Sequence, residues 1–212
     1  MESQCAGTET EGTTSASTST SAATAAIPEA ESLPPLTPEQ FKVYNRLAEL
    51  MDYFHDHFRE TWTTLYTACT TGRRPASMTL KQFLDAGVRL TQYLETHHTI
   101  EETHMYPLLA RKMPTFRAAA AAHGAGSKKK KSQQDCELLR QHQAIHVGME
   151  DFEAYLRACR SREVEFELSV LKEKMDSWGD VLMKHLDQEV EELGAENMRK
   201  FWTLEEMRAF PF

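Results

Sequence analysis

The stretch Leu94-Glu95-Thr96-His97-His98-Thr99-Ile100-Glu101-Glu102 decides how this chain is read. His97 and Glu101 stand four residues apart, and on a helix residues i and i+4 lie on one face. Two more pairs with the same spacing follow, His142 with His146 and His185 with Glu189, and His55 precedes them all. Imidazoles and carboxylates on the apolar faces of helices are expensive to bury unless they are paired or hold a cation. The pattern predicts a helical bundle whose core contains metal as well as hydrocarbon.

Outward from that stretch, the chain divides into helices marked by their ends. Thr37-Pro38-Glu39-Gln40 is a capping box with proline at the first helical position, and it opens a helix to about Cys69. Gly72-Arg73-Arg74-Pro75 ends that helix, and Thr79-Leu80-Lys81-Gln82 opens a second, running to about Met113 with Pro107 as a kink. Residues 118–134, alanines followed by Gly, Ser and four lysines, read as a flexible linker. The third helix spans about Asp135 to Cys159 and the fourth about Glu163 to Leu193, stopped by Gly194. Thr203-Leu204-Glu205-Glu206 opens a short last helix. Residues 1–36, rich in Ser, Thr, Ala and Glu, bury too little apolar surface to offset chain entropy and read as a disordered tail. No segment alternates as a strand would. The expected fold is all-α, an up-down-up-down antiparallel four-helix bundle over residues 37–212.

Helical geometry then ranks the histidines. On the first helix Leu47, Met51, Phe54, Phe58, Trp62 and Leu65 define an apolar stripe. At about 100° per residue, His55 falls roughly 50° from its centre and His57 roughly 110° away. On the second helix Glu101 lies near the stripe centre and His97 about 40° off; His98 is slightly further out, and Glu102 is about 100° away. His142 and His146 lie within the stripe of the third helix, and His185 and Glu189 share the face of Leu171, Trp178 and Leu182 on the fourth. The turns supply a second test. His55 and the His97/Glu101 pair are equidistant from a point near Ser77, and the pairs on the last two helices from a point near Glu165. Each hairpin therefore brings its own ligands level, and the candidate metal ligands are His55, His97, Glu101, His142, His146, His185 and Glu189.

Composition excludes other roles. A net charge of −8 argues against a nucleic-acid partner. The one basic run, Lys128 to Lys131, reads as a solvated loop, with nuclear import as its sharper reading. No apolar run reaches the roughly 18 residues of a membrane span. Cys5, Cys69, Cys136 and Cys159 form no CxxC pair and read as reduced thiols of a cytoplasmic protein.

Taken in order, these motifs resemble the hemerythrin family, and more closely its HHE cation-binding branch. The matching residues are His55, His97-x-x-x-Glu101 followed by Glu102 and Tyr106-Pro107, His142-x-x-x-His146, and His185-x-x-x-Glu189. The resemblance implies two non-haem irons bridged by Glu101 and Glu189, with His55, His97, His142, His146 and His185 as terminal ligands. Oxygen carriers of the family place an aspartate five residues after the last histidine; this chain has Val190 there and Glu189 four after, as HHE members do. Imidazole and carboxylate also suit zinc or manganese. The implied function is reversible binding of a small ligand such as dioxygen or nitric oxide, or sensing of oxygen, iron or redox state. The alternatives are an enzyme acting on peroxide or nitric oxide, and an iron storage or detoxification protein.

Overall fold

A computed structural model of the chain describes residues 33–117 and 137–212. The linker expected at 118–134, with Lys128 to Lys131, and most of the expected tail lie outside the described residues. A compact unit, Leu36–Phe212, carries every described helix.

Helix α1 is Pro38–Thr71, α2 is Leu80–Ile100, and α3 is the single turn Tyr106–Leu109. They are followed by α4 at Glu137–Ser161, α5 at Leu168–Asp176, α6 at Gly179–Glu192, α7 at Ala195–Met198 and α8 at Leu204–Arg208. Among the described residues there is no strand. Helix α1 packs on α2, α2 on α4, and α4 on α5 and α6, which return to α1. This closes a ring of helices around a shared core. The three capping boxes form: Thr37, Thr79 and Thr203 each accept from the backbone N–H three residues on, while Gln40, Gln82 and Glu206 reach back. Gly72, at φ 69°, ends α1 in the left-handed conformation that glycine adopts without strain.

Four boundaries differ from the sequence reading. The helix containing His97 does not run on to Met113. Regular α geometry stops at Ile100, and Glu101–Met105 form a wider π turn in which the Tyr106 N–H reaches back to the Glu101 carbonyl. Pro107 has no N–H to donate, so the α ladder loses a bond here, and the chain relaxes into the wider turn rather than kinking at the proline. A short 3₁₀ turn, Pro114–Phe116, completes the segment. The fourth helix begins at Leu168, not Glu163, and it is interrupted at Ser177–Trp178. Helix α4 extends to Ser161 and stops at Arg162, a non-glycine residue at φ 67°. Gly194 keeps φ at −65° and serves as the residue before α7, not as a left-handed cap.

The interruption at Trp178 has a packing cause. Trp178, 1% exposed, meets Trp62 edge to face with ring centres 4.7 Å apart. Each indole lies against a glycine. A Cβ on Gly148 would sit 2.3 Å from Trp178 Cβ, and one on Gly179 would sit 2.7 Å from Trp62. This aromatic layer belongs to an apolar cluster built from Phe58, Phe83, Phe152, Leu156 and Leu182. A second cluster, with Tyr44, Leu47, Tyr106, Phe116 and Met198, lies at the end where α3, α7 and α8 pack. Six buried histidine and glutamate side chains stand with them in the interior of the described residues: His55, His98, Glu101, His142, His185 and Glu189.

Candidate metal centre

Helices α1, α2, α4 and α6 and the π turn each place at least one of these side chains toward the same region. Two groups form. His55, His97, Glu101 and Glu189 offer ligand atoms that all lie within 4.8 Å of one another, and so do His98, Glu101, His142 and His185. Glu101 belongs to both. Its oxygens lie 2.7 Å from His97 Nε2 and 3.4 Å from His142 Nε2, one in each group. Glu189 Oε2 likewise lies 3.4 Å from His55 Nε2 and 3.8 Å from His185 Nε2.

The tautomers of three imidazoles follow from what their outer nitrogens touch. His55 Nδ1 lies 3.0 Å from the Leu186 carbonyl, which can only accept, so Nδ1 carries the proton. His142 Nδ1 donates to Glu102 Oε1 at 2.6 Å. His185 Nδ1 lies 3.3 Å from Gln141 Oε1; the Gln141 amide nitrogen donates to Glu137 and Gln188, which fixes the amide's orientation. In the neutral form of each ring, Nε2 is therefore a lone pair aimed inward. The lone pairs of His142 and His185 converge, their Nε2 atoms 3.3 Å apart, and His55 Nε2 lies 3.2 Å from His97 Nε2. Lone pair against lone pair is repulsive in a dry interior. Both oxygens of Glu101, Oε2 of Glu189 and both nitrogens of His98 are buried without a hydrogen-bond partner. Unsatisfied buried acceptors cost about 1–3 kcal/mol each, and a cation between them removes that cost. The outward N–H contacts to carbonyl, carboxylate and amide oxygens are the arrangement that orients metal-bound histidines. Imidazoles with carboxylates fit iron, zinc or manganese.

Titration behaviour points the same way. Burial pushes the imidazoles of His97 and His185 down, to about 4 and about 3, and that of His98 well below its usual value. All three are thus neutral and able to ligate near pH 7. Burial and the neighbouring Glu189 charge raise Glu101 well above the usual carboxyl range. For Glu189 the upward effect of burial is outweighed by His55 and His185, which bring it to about 2. Without a cation the two carboxyls differ sharply, Glu101 protonated and Glu189 ionised.

A match to a known family fits this geometry: residues 46–196 match the hemerythrin HHE cation-binding domain. The chain belongs to that family. No curated protein and no solved structure matches it. HHE domains are cation-binding modules, and the two His/Glu groups give this member the side chains for that role.

The structure brings together six of the seven residues singled out from the sequence. His146 stands apart from both groups: it is half-buried, with its ring centre 5.3 Å from that of His98. The histidine that joins the second group is His98. It is fully buried and stacked on His142, with centroids 3.9 Å apart. The sequence reading set Glu102 off the stripe and gave Tyr106, though part of the family motif, no role; Glu102 receives the His142 N–H, and the fully buried Tyr106 donates its hydroxyl to Glu189 Oε1 at 2.8 Å. The signal for both was Pro107, which marks where the regular 100° step no longer applies. His57 and His104 are exposed.

Proposed function

We propose that this HHE member is a non-haem di-iron protein that binds dioxygen or another small ligand, or reports oxygen, iron or redox state. One observation carries the reading: two groups of inward-facing ligands share Glu101, and the Nε2 atoms of His142 and His185 face each other with their N–H groups turned outward, as does that of His55. Three histidines on one side and two on the other, with the carboxylates between, leave coordination positions open on a metal pair. Iron in those positions would supply reversible ligand binding and redox change. His55, His97, His98, His142 and His185 would hold it, with Glu101 and Glu189 between the two ions. Leu186, Glu102 and Gln141 orient three of the rings.

The deciding measurement is the metal content of the purified chain, with its ultraviolet–visible spectrum before and after exposure to oxygen. About two irons per chain with oxo-bridge charge-transfer bands supports the reading. One tightly held zinc, or no metal after incubation with ferrous iron, overturns it. A second reading, an enzyme that processes peroxide or nitric oxide, is favoured by Tyr106. Its hydroxyl sits inside the centre, 2.8 Å from Glu189 Oε1 and 3.3 Å from His142 Nε2, where it can hold or release a proton. Turnover of peroxide or nitric oxide by the iron-loaded chain, lost in Tyr106→Phe, separates the enzyme from the reversible binder.

A further inference from the structure

A cavity of about 880 Å³ runs between α1 and α2 and reaches the centre at His97 and Glu101. That volume is far larger than a diatomic ligand needs and falls within the range of sites for organic molecules, about 300–1,000 Å³. Its walls are apolar: Leu47, Met51, Phe54, Phe58, Ile100 and Met105. Half of the large apolar residues exposed among the described residues stand along it, namely Leu50, Tyr53, Phe54, Tyr93 and Ile100, with Tyr53 73% exposed. A contiguous exposed apolar surface of this kind marks a place where something binds.

Charge narrows the occupant. The described lining includes the exposed Asp56 and Glu60 and contains no lysine or arginine, so an anion is repelled at the mouth. Residues 1–32 contain five glutamates, no lysine or arginine, and only Met1 and Ile27 as large apolar side chains, which suits them poorly to an acidic, aromatic groove. Access to the centre is also one-sided. The groove reaches His97 and Glu101 but is not lined by His98, His142 or His185.

We propose that this groove binds an uncharged, hydrocarbon-rich organic molecule whose polar end faces His97 and Glu101. The groove's chemistry stands on its lining; its link to a metal rests on the di-iron reading above. The test is fluorescence titration of the full chain with N-phenyl-1-naphthylamine, an uncharged probe, followed by displacement with decanol or decanoate. Saturable binding is expected, with decanol displacing the probe at least about tenfold better than decanoate. Thr96→Trp, on an exposed face of α2 that lines the groove, should weaken probe binding by about tenfold or more while leaving iron content unchanged. Leu50→Trp does the same from α1 and guards against misfolding of one variant, with circular dichroism confirming that each is helical. Absence of saturable binding, equal displacement by decanoate, unchanged binding in both folded variants, or a dimer that occludes the probe would each overturn the proposal. Decanol should also perturb the charge-transfer bands of the iron-loaded chain. Probe binding by a chain that takes up no iron would uphold the groove and overturn the di-iron reading. Iron uptake without probe binding would do the reverse.

Discussion

Glu101 should affect stability in opposite directions depending on whether metal is present, and Glu101→Gln measures this. The side chain is 2% exposed and neither oxygen accepts a hydrogen bond. Its pKa is raised by burial and by Glu189, so the folded state holds a proton that the unfolded chain releases above its usual value near 4.5. A raised carboxyl pKa contributes stability at low pH and withdraws it as pH rises through that window. At pH 7, therefore, Glu101 destabilises the metal-free fold. Gln cannot ionise, and its amide can donate to the lone pairs of His97 and His142. The substitution should stabilise the metal-free protein by about 1–3 kcal/mol, the cost of an unsatisfied buried polar group, or roughly 2–10 °C in Tm. The gain should shrink below pH 4.5. With iron present the sign reverses. A cation at 1,000 times its Kd adds about 4 kcal/mol, and the variant loses the carboxylate that the two groups share. Thermal melts with chelator and with ferrous iron under argon, alongside iron per chain by elemental analysis, read both halves. Lower stability of the variant in chelator, or two irons retained at native affinity, would refute the reasoning.

His98→Ala should remove at least one iron per chain, whereas His146→Ala should leave both; the opposite result would return His146 to the ligand set. Glu102→Ala should weaken metal binding by about tenfold to a hundredfold, because the His142 Nδ1–H loses the acceptor that orients the ring, and a competition titration against a chelator measures this. The metal-free protein should lose stability on acidification. His97 and His185 have folded pKa values lowered to about 4 and about 3, so below about 6.5 the unfolded chain binds protons that the fold refuses, each contributing up to about 1.4 kcal/mol per pH unit. Chemical denaturation at successive pH values should show this fall between pH 6.5 and 4, and a flat profile would contradict it. Gly148→Ala places a Cβ 2.3 Å from Trp178 Cβ and should cost about 1–3 kcal/mol, seen as a lower Tm.

Where a local rule governs, the sequence reads true. Thr37, Thr79 and Thr203 open helices because each hydroxyl meets a backbone N–H three residues away, and that geometry needs nothing from the rest of the molecule. Gly72 ends α1 for an equally local reason. The break at Ser177–Trp178 is different. It accommodates two indoles from α1 and the fourth helical stretch, stacked edge to face against Gly148 and Gly179, and three of those four residues are remote from one another in sequence until the helices pack. Likewise Phe54 lies within the angular stripe of α1 yet is 43% exposed, because the groove beside it is left open by α2. Arg162 stops α4 in a conformation that glycine would have advertised and arginine does not.

The candidate centre was legible up to Glu101 and less so beyond it, and the π turn explains the difference. Equal distance from the turns placed His55 level with His97 and His142 level with His185, and the structure holds those nitrogens 3.2 and 3.3 Å apart. From Glu101 onward the backbone advances by a smaller angle per residue, so a wheel drawn at 100° carries Glu102 and Tyr106 to the wrong side. The wider turn instead lets three residues of one short segment serve the centre: Glu101 between the two groups, Glu102 on His142, and Tyr106 on Glu189. On a regular helix Glu101 and Tyr106, five residues apart, would stand about 140° from each other. The wider turn before Pro107 thus brings Tyr106 round to the centre, while adjacent carboxylates divide the work, one touching both ligand groups and the other holding a ligand in place.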